Sequence, residues 1–162
     1  MFDLARFREA QNRRPGFAEA LAELRAGAKT GHWIWYVFPQ LRGLGRSPMA
    51  GRYGLDGVEE AAAYLDDPVL GQRLAVATAA VRAHVAGPAP EPLAQVMGSD
   101  IDALKLVSCL TLFASVARAA HARQPRPELA TLADDAEAIL AAGAAQGYPR
   151  CAFTEARLGT SR

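Results

Sequence analysis

The stretch HWIWYVFPQ, His32 to Gln40, decides how this chain is read. It packs four of the chain's twelve aromatic residues into six positions, bracketed by a histidine and a glutamine and closed by Pro39. As a helix capped at Thr30, it brings Trp33 together with Tyr36 and Val37, and Trp35 together with Phe38. Trp33 through Phe38 are all apolar or aromatic, so a fully buried strand fits the same residues. A short helix is the reading adopted. Such a block serves either as a core nucleus or as one wall of a pocket.

Outward from this block the chain reads as helix. Ala and Leu dominate, and both lose little on entering a helix, while β-branched alternation is almost absent. Asp3 is placed to cap a first helix through about Asn12, and Pro15 suits the first turn of a second, Gly16 to Ala26. Gly43, Gly45, Gly51 and Gly54 mark a turn-rich connector, within which Ser47-Pro48 starts a short helix carrying Met49 and Tyr53. Further helices are expected over Val58 to Leu65, Asp67-Pro68 to Val85, Pro92 to Met97, Ser99 to about His121, and Glu128 to Ala142. Gly87-Pro88-Ala89-Pro90 joins two parts of one domain, since neither half alone has enough core. The expectation is an all-α single domain, an orthogonal bundle of about six to eight helices over residues 1–145, with residues 146–162 as loop and tail.

Bulk composition narrows the function classes. Eighteen basic residues against seventeen acidic ones supply no general attraction to nucleic acid or to an anionic membrane. Met1 leads into the amphipathic Asp3-Leu4-Ala5-Arg6-Phe7, so no signal peptide is expected. Runs such as Leu74 to Val81 are too short to span a bilayer. Cys109 and Cys151 have no metal or redox spacing. The chain reads as cytoplasmic, a monomer or weak homodimer, with no nucleic-acid or membrane partner, no metal and no cofactor.

The second informative segment is the helix after Ser99. Asp102, Lys105 and Cys109 fall within about 60° of one another on a helical wheel, and apolar residues cover almost every other direction. A helix apolar nearly all round is central and buried, so Asp102 and Lys105 face either a pocket or each other. Ser99-x-x-Asp102 fits a capping box with Lys105 as the i+3 ion-pair partner. The functional alternative has Lys105 and the helix N-terminus holding a phosphate or carboxylate, with Asp102 in acid–base work. His32 can be structural or catalytic. Gly43-Leu44-Gly45-Arg46-Ser47 lacks the preceding strand and the Lys-Ser/Thr ending of a phosphate loop.

These residues resemble a bacterial family known as "domain of unknown function 1810". The marks are Phe7-x-x-Ala10-Gln11, His32 to Leu41, Gly43 to Ser47 with Ala50 and Tyr53, Ala63-Tyr64-Leu65-x-x-Pro68-Val69-Leu70-Gly71, and Gly98-Ser99-x-x-Asp102-x-x-Lys105-Leu106-x-Ser108-x-x-Thr111-Leu112-Phe113. The resemblance covers Asp3 to about Ala114 and implies a mostly α-helical single domain. The chain departs from the pattern at Asp67, where His is expected, and at Val107 and Cys109, where Arg and Ser are expected. A shorter likeness is to the NADAR fold of ADP-ribose-linked glycosidases, which also place an acidic residue before a lysine on a buried helix; Asp100 or Asp102 with Lys105 would match it.

The expected function is a small-molecule-binding domain, one that could act on a nucleotide or ADP-ribose-like ligand. His32, Asp102 and Lys105 are the candidate catalytic residues. Trp33, Trp35, Gln40, Arg46, Ser47, Tyr53, Ser108 and Thr111 are the candidate ligand contacts. The alternative is a non-catalytic structural or protein-interaction module in which the same residues only stabilise the core.

Overall fold

The structure is a computed structural model that describes residues 1–160. Among them the chain forms ten helices: α1 (Ala5–Asn12), α2 (Phe17–Arg25), α3 (Ile34–Val37), α4 (Pro48–Arg52), α5 (Val58–Asp66), α6 (Pro68–Val85), α7 (Leu93–Met97), α8 (Asp100–Arg123), α9 (Pro127–Ala145) and α10 (Ala152–Thr160). The all-helical class is as expected, but six to eight helices is corrected to ten. Three of the ten, α3, α4 and α7, are pieces of four or five residues. The tenth, α10, forms in the segment read as loop and tail. Helices this short take most of their stability from tertiary packing, and α10 lies against α8 with Thr154 and Leu158 buried.

Capping residues fix several of the helix starts. The Asp67 carboxylate accepts from the backbone N–H groups of Val69 and Leu70, both at 3.0 Å, with Pro68 opening α6. Ser47 caps α4 through the Ala50 N–H, and Ser99 caps α8 through the Asp102 N–H, each at 3.1 Å. Two expected caps are corrected. Asp3 does not cap α1, which starts at Leu4 without a side-chain bond. Thr30 does not cap α3, which begins after Trp33 without a side-chain bond, while the Thr30 and Gly31 N–H groups donate to the Glu23 carboxylate, each at 2.7 Å.

Helix α8 is the axis of the molecule, about 36 Å long at 1.5 Å per residue. Leu106 through Ala114 are buried without interruption, so the helix is covered on every side over these turns. Helices α5, α7, α9 and α10 pack around it, while α6 links α2, α5 and α9. By length and apolarity α8 could cross a membrane, but 67% of its apolar window is buried inside the bundle. The aromatic block joins this core through a relay of rings: Tyr36 to Tyr53, Tyr53 to Phe7, Phe7 to Tyr64 and Tyr64 to Phe113, at centroid separations of 5.1 to 5.9 Å. The buried Gln11 amide pins α1 to it, donating to the Tyr36 carbonyl at 2.7 Å and to the Tyr64 hydroxyl at 3.2 Å.

At the Gly87–Pro90 break, His84 ties three segments together. Its Nδ1 lies 2.9 Å from the Glu91 carboxylate and its Nε2 lies 2.9 Å from the Arg25 carbonyl oxygen. Both partners are acceptors, so both contacts are satisfied together only by the doubly protonated imidazolium form. The Glu91 hydrogen bond first, then the Arg25 carbonyl, raise its pKa above the ordinary histidine value. A raised folded-state pKa contributes stability below the unfolded value, and that contribution is lost as pH rises through the folded value. The melting temperature of the native protein should therefore fall relative to His84→Gln as pH goes from about 5 to about 8. Parallel melting curves for the two proteins across that range would refute this account of the junction.

Candidate functional site

Asp102 and Lys105 lie one helical turn apart at the head of α8, and a third residue completes their chemistry. Lys29, in the loop between α2 and α3, places its Nζ 2.7 Å from the Asp102 carboxylate, while Lys105 Nζ lies 3.8 Å from the other carboxylate oxygen. The Lys29 side chain is 3% exposed, Asp102 18% and Lys105 24%. A buried ammonium needs all its donors engaged. Lys29 meets that need with Asp102, a short bond to the Gly31 carbonyl and the face of Trp33, 4.6 Å from its Nζ.

The backbone holds this arrangement in place. The Lys29 N–H donates to the Val96 carbonyl of α7 at 2.9 Å. Gly98 follows with φ of 85°, and a Cβ there would stand 2.5 Å from the Lys29 carbonyl oxygen. Only glycine accepts both that conformation and that approach. The α7–α8 turn thus clasps the Lys29 loop, and the Ser99 cap starts α8 directly beside it.

Lys105 also faces a cleft. Its Nζ sits 4.6 Å from the Trp35 ring centre, at a cation–π distance. The cleft is lined by Ile34, Trp35, Phe38 and Gln40 from the aromatic block and by Met49, Ala50, Tyr53 and Gly54 from α4 and the residues after it. The cleft opens to solvent and has room in this form for about one water molecule. The Trp35 indole N–H is buried and has no hydrogen-bond partner among the described residues. Buried donors are normally paired, so this group is an exception within the fold.

Of the residues singled out from the sequence, Trp35, Gln40, Tyr53 and Lys105 meet at the cleft. Asp102 stands directly behind Lys105. The others lie elsewhere. Trp33 is fully buried, and its N–H donates to Glu23 at 3.0 Å. His32 and Arg46 are exposed and do not line the cleft. Ser47 is spent on its cap. Ser108 and Thr111 donate back to the Leu104 and Val107 carbonyls at 3.0 and 2.7 Å. Thr111 also accepts from the Cys151 N–H at 3.2 Å. Burial pushes the Cys151 thiol up, but the Thr154 hydroxyl, the Thr154 and Phe153 N–H groups and the neighbouring Ser108 side chain outweigh it, and its pKa is lowered.

The sequence reading missed Lys29, although a signal existed. The chain has sixteen arginines and only two lysines, Lys29 and Lys105, and both converge on Asp102. Their rarity in an arginine-rich chain marks positions where a compact ammonium is wanted rather than a planar fork.

A family model described as "Protein of unknown function (DUF1810)" matches residues 1–129. The chain belongs to this family. The DUF1810 match takes in the cleft, both lysines and Asp102, and ends before Cys151 and α10. The chain is also similar to a solved structure, the conserved hypothetical protein Rv1873 from Mycobacterium tuberculosis. The two are 43% identical, with a TM-score of 0.70 over 86% of each chain. A comparison with curated proteins finds no match.

The ion pairs should be unequal in their contribution to this DUF1810 protein. Asp102→Ala leaves a buried, unpaired Lys29 and should cost about 3–5 kcal/mol of unfolding free energy. Lys105→Ala removes a looser, more exposed cation and should cost about 1 kcal/mol or less. Denaturant unfolding of both variants measures the difference, and equal losses would contradict the geometry.

Proposed function

We propose that this protein is a small-molecule-binding domain whose ligand carries an anionic group and a ring, of the nucleotide or ADP-ribose-like class. The single observation behind this reading is the charge at the cleft. Two lysines share one carboxylate, so the cluster has one positive charge in excess, and the less tightly held ammonium is the one beside Trp35. Neighbouring Asp100 does not join the cluster, since it takes the Tyr148 hydroxyl instead. A partly buried excess charge favours a ligand of opposite sign.

In this reading Lys105 holds the anion, Trp35 and Tyr53 flank a ring, and Gln40 and the free Trp35 N–H supply hydrogen bonds. Asp102 keeps Lys105 in place and is the nearest group for acid–base work, with His32 at a greater remove. A purely structural module would account for the Lys29–Asp102 pair, but it leaves the Trp35 donor without a purpose. The same reading takes the ten helices as one orthogonal domain, acting in the bacterial cytoplasm as a monomer or weak homodimer.

A thermal-shift screen of nucleotides and ADP-ribose derivatives at millimolar concentration tests this. A ligand present at about 100 times its Kd should raise the melting temperature by about 5–10 °C. Lys105→Ala should lose that shift while melting close to the native protein, and Trp35→Phe should weaken it by removing the indole donor. Absence of any shift across the panel would sink the proposal.

A further inference from the structure

The cleft is narrow. Its space admits about one water molecule, whereas a single benzene ring occupies a cavity of about 150 Å³. A ligand ring can enter only if a wall moves, and the walls are not equally free. Ile34 and Phe38 are each 1% exposed and belong to the core, and Lys105 stands on α8, the axis of the bundle. The remaining wall is the segment 44–54, which carries α4: Ala50 and Tyr53, toward its C-terminal end, are buried, whereas Gly45 through Pro48 are exposed.

The two ends of that segment are held very differently. At the C-terminal end, Arg6 donates to the Arg52 and Gly54 carbonyls, each at 2.9 Å, and Arg42 donates to the Gly51 and Gly54 carbonyls. These guanidinium groups are fixed in turn by Glu60 and Asp56. Charge-assisted bonds of this kind are about twice as strong as neutral ones. At the N-terminal end the bonds are neutral: beyond Arg42, whose N–H donates to the Leu55 carbonyl at 2.8 Å, the Leu44 N–H turns back to the Leu41 carbonyl and the Gln40 side chain donates to the Leu44 carbonyl, each at 3.3 Å, and glycines with φ of 103° and 80° stand at positions 43 and 45.

We propose that segment 44–54 is a gate over the Trp35 cleft, pivoting at its arginine-pinned end and released when the Gln40–Leu44 hydrogen bond breaks. The proposal rests on the reading of the cleft as a ligand site. The gate itself is measurable without any ligand, so its failure and the failure of the binding reading are separate results. Gln40 then has two states: closed, it latches Leu44; open, its amide is free for an acceptor that enters.

Amide hydrogen exchange and tryptophan quenching test the gate on the full chain. In the native protein the Ala50 and Gly51 amides should exchange at least about 100-fold faster than the amides of Leu106 to Ala114. Gln40→Leu should speed the Ala50 and Gly51 amides a further factor of about ten, with exchange in α8 unchanged. The same substitution should raise acrylamide quenching of tryptophan emission, which reports Trp35 because Trp33 is sealed in the core. Exchange in the segment as slow as in α8 in the native protein would overturn the gate. So would a Gln40→Leu protein in which α8 and the segment accelerate together, or in which quenching does not change.

Discussion

The ion pair between Lys29 and Asp102 is the contact on which the site depends. It joins the loop after α2 to the head of α8, segments far apart in sequence, and it does so where the side chain of Lys29 is almost wholly buried. Coulomb attraction alone does not offset the cost of stripping water from an ammonium. The balance closes because the Gly31 carbonyl and the Trp33 face engage the same nitrogen. The pair fixes where the α2–α3 loop must run, and that loop leads straight into α3 and the cleft wall. Gly98 is part of the same constraint, since any larger residue would push the two segments apart.

Lysine suits this position for a geometric reason. An ammonium presents three donors around one compact point, which matches an acceptor, a carboxylate and a ring face arriving from different directions. A guanidinium spreads its donors in a plane and would demand parallel acceptors. The rest of the chain shows that second mode. Arg6 and Arg42 span several carbonyls and a carboxylate at once, which makes them good pins for the α4 segment. The two cation types thus divide the work around the cleft.

Much of the fold was legible because its signals are local. Ser99, Ser47 and Asp67 cap where their spacing said they would, and α8 is as buried as its unbroken apolar surface required. Asp3 and Thr30 have the right chemistry for caps, but α1 and α3 begin after Leu4 and Trp33, with no side-chain bond at either start. Helix α10 was invisible because it packs on α8, forty residues earlier in the chain. In the site, Lys105 and Trp35 were visible as distinct residue types in distinct patterns. Lys29 was not, because its meaning lies in a partner seventy-three positions away. Its only trace is the near absence of lysine elsewhere.

The aromatic block posed a choice between core nucleus and pocket wall, and its two tryptophans divide: Trp33 lies in the core and Trp35 borders the cleft. Trp33 and Trp35 are two residues apart, which on a helical path turns their side chains about 200° from one another. One indole faces inward, with its N–H on Glu23 and a lysine over its ring. The other borders the cleft, with a lysine over its ring and no partner for its N–H. The two tryptophans therefore flank the same Lys29–Asp102–Lys105 cluster from its two ends, one satisfied and one unsatisfied. At the second position an indole is a stronger partner for the Lys105 ammonium than a phenyl ring would be, and it brings a donor that phenylalanine lacks.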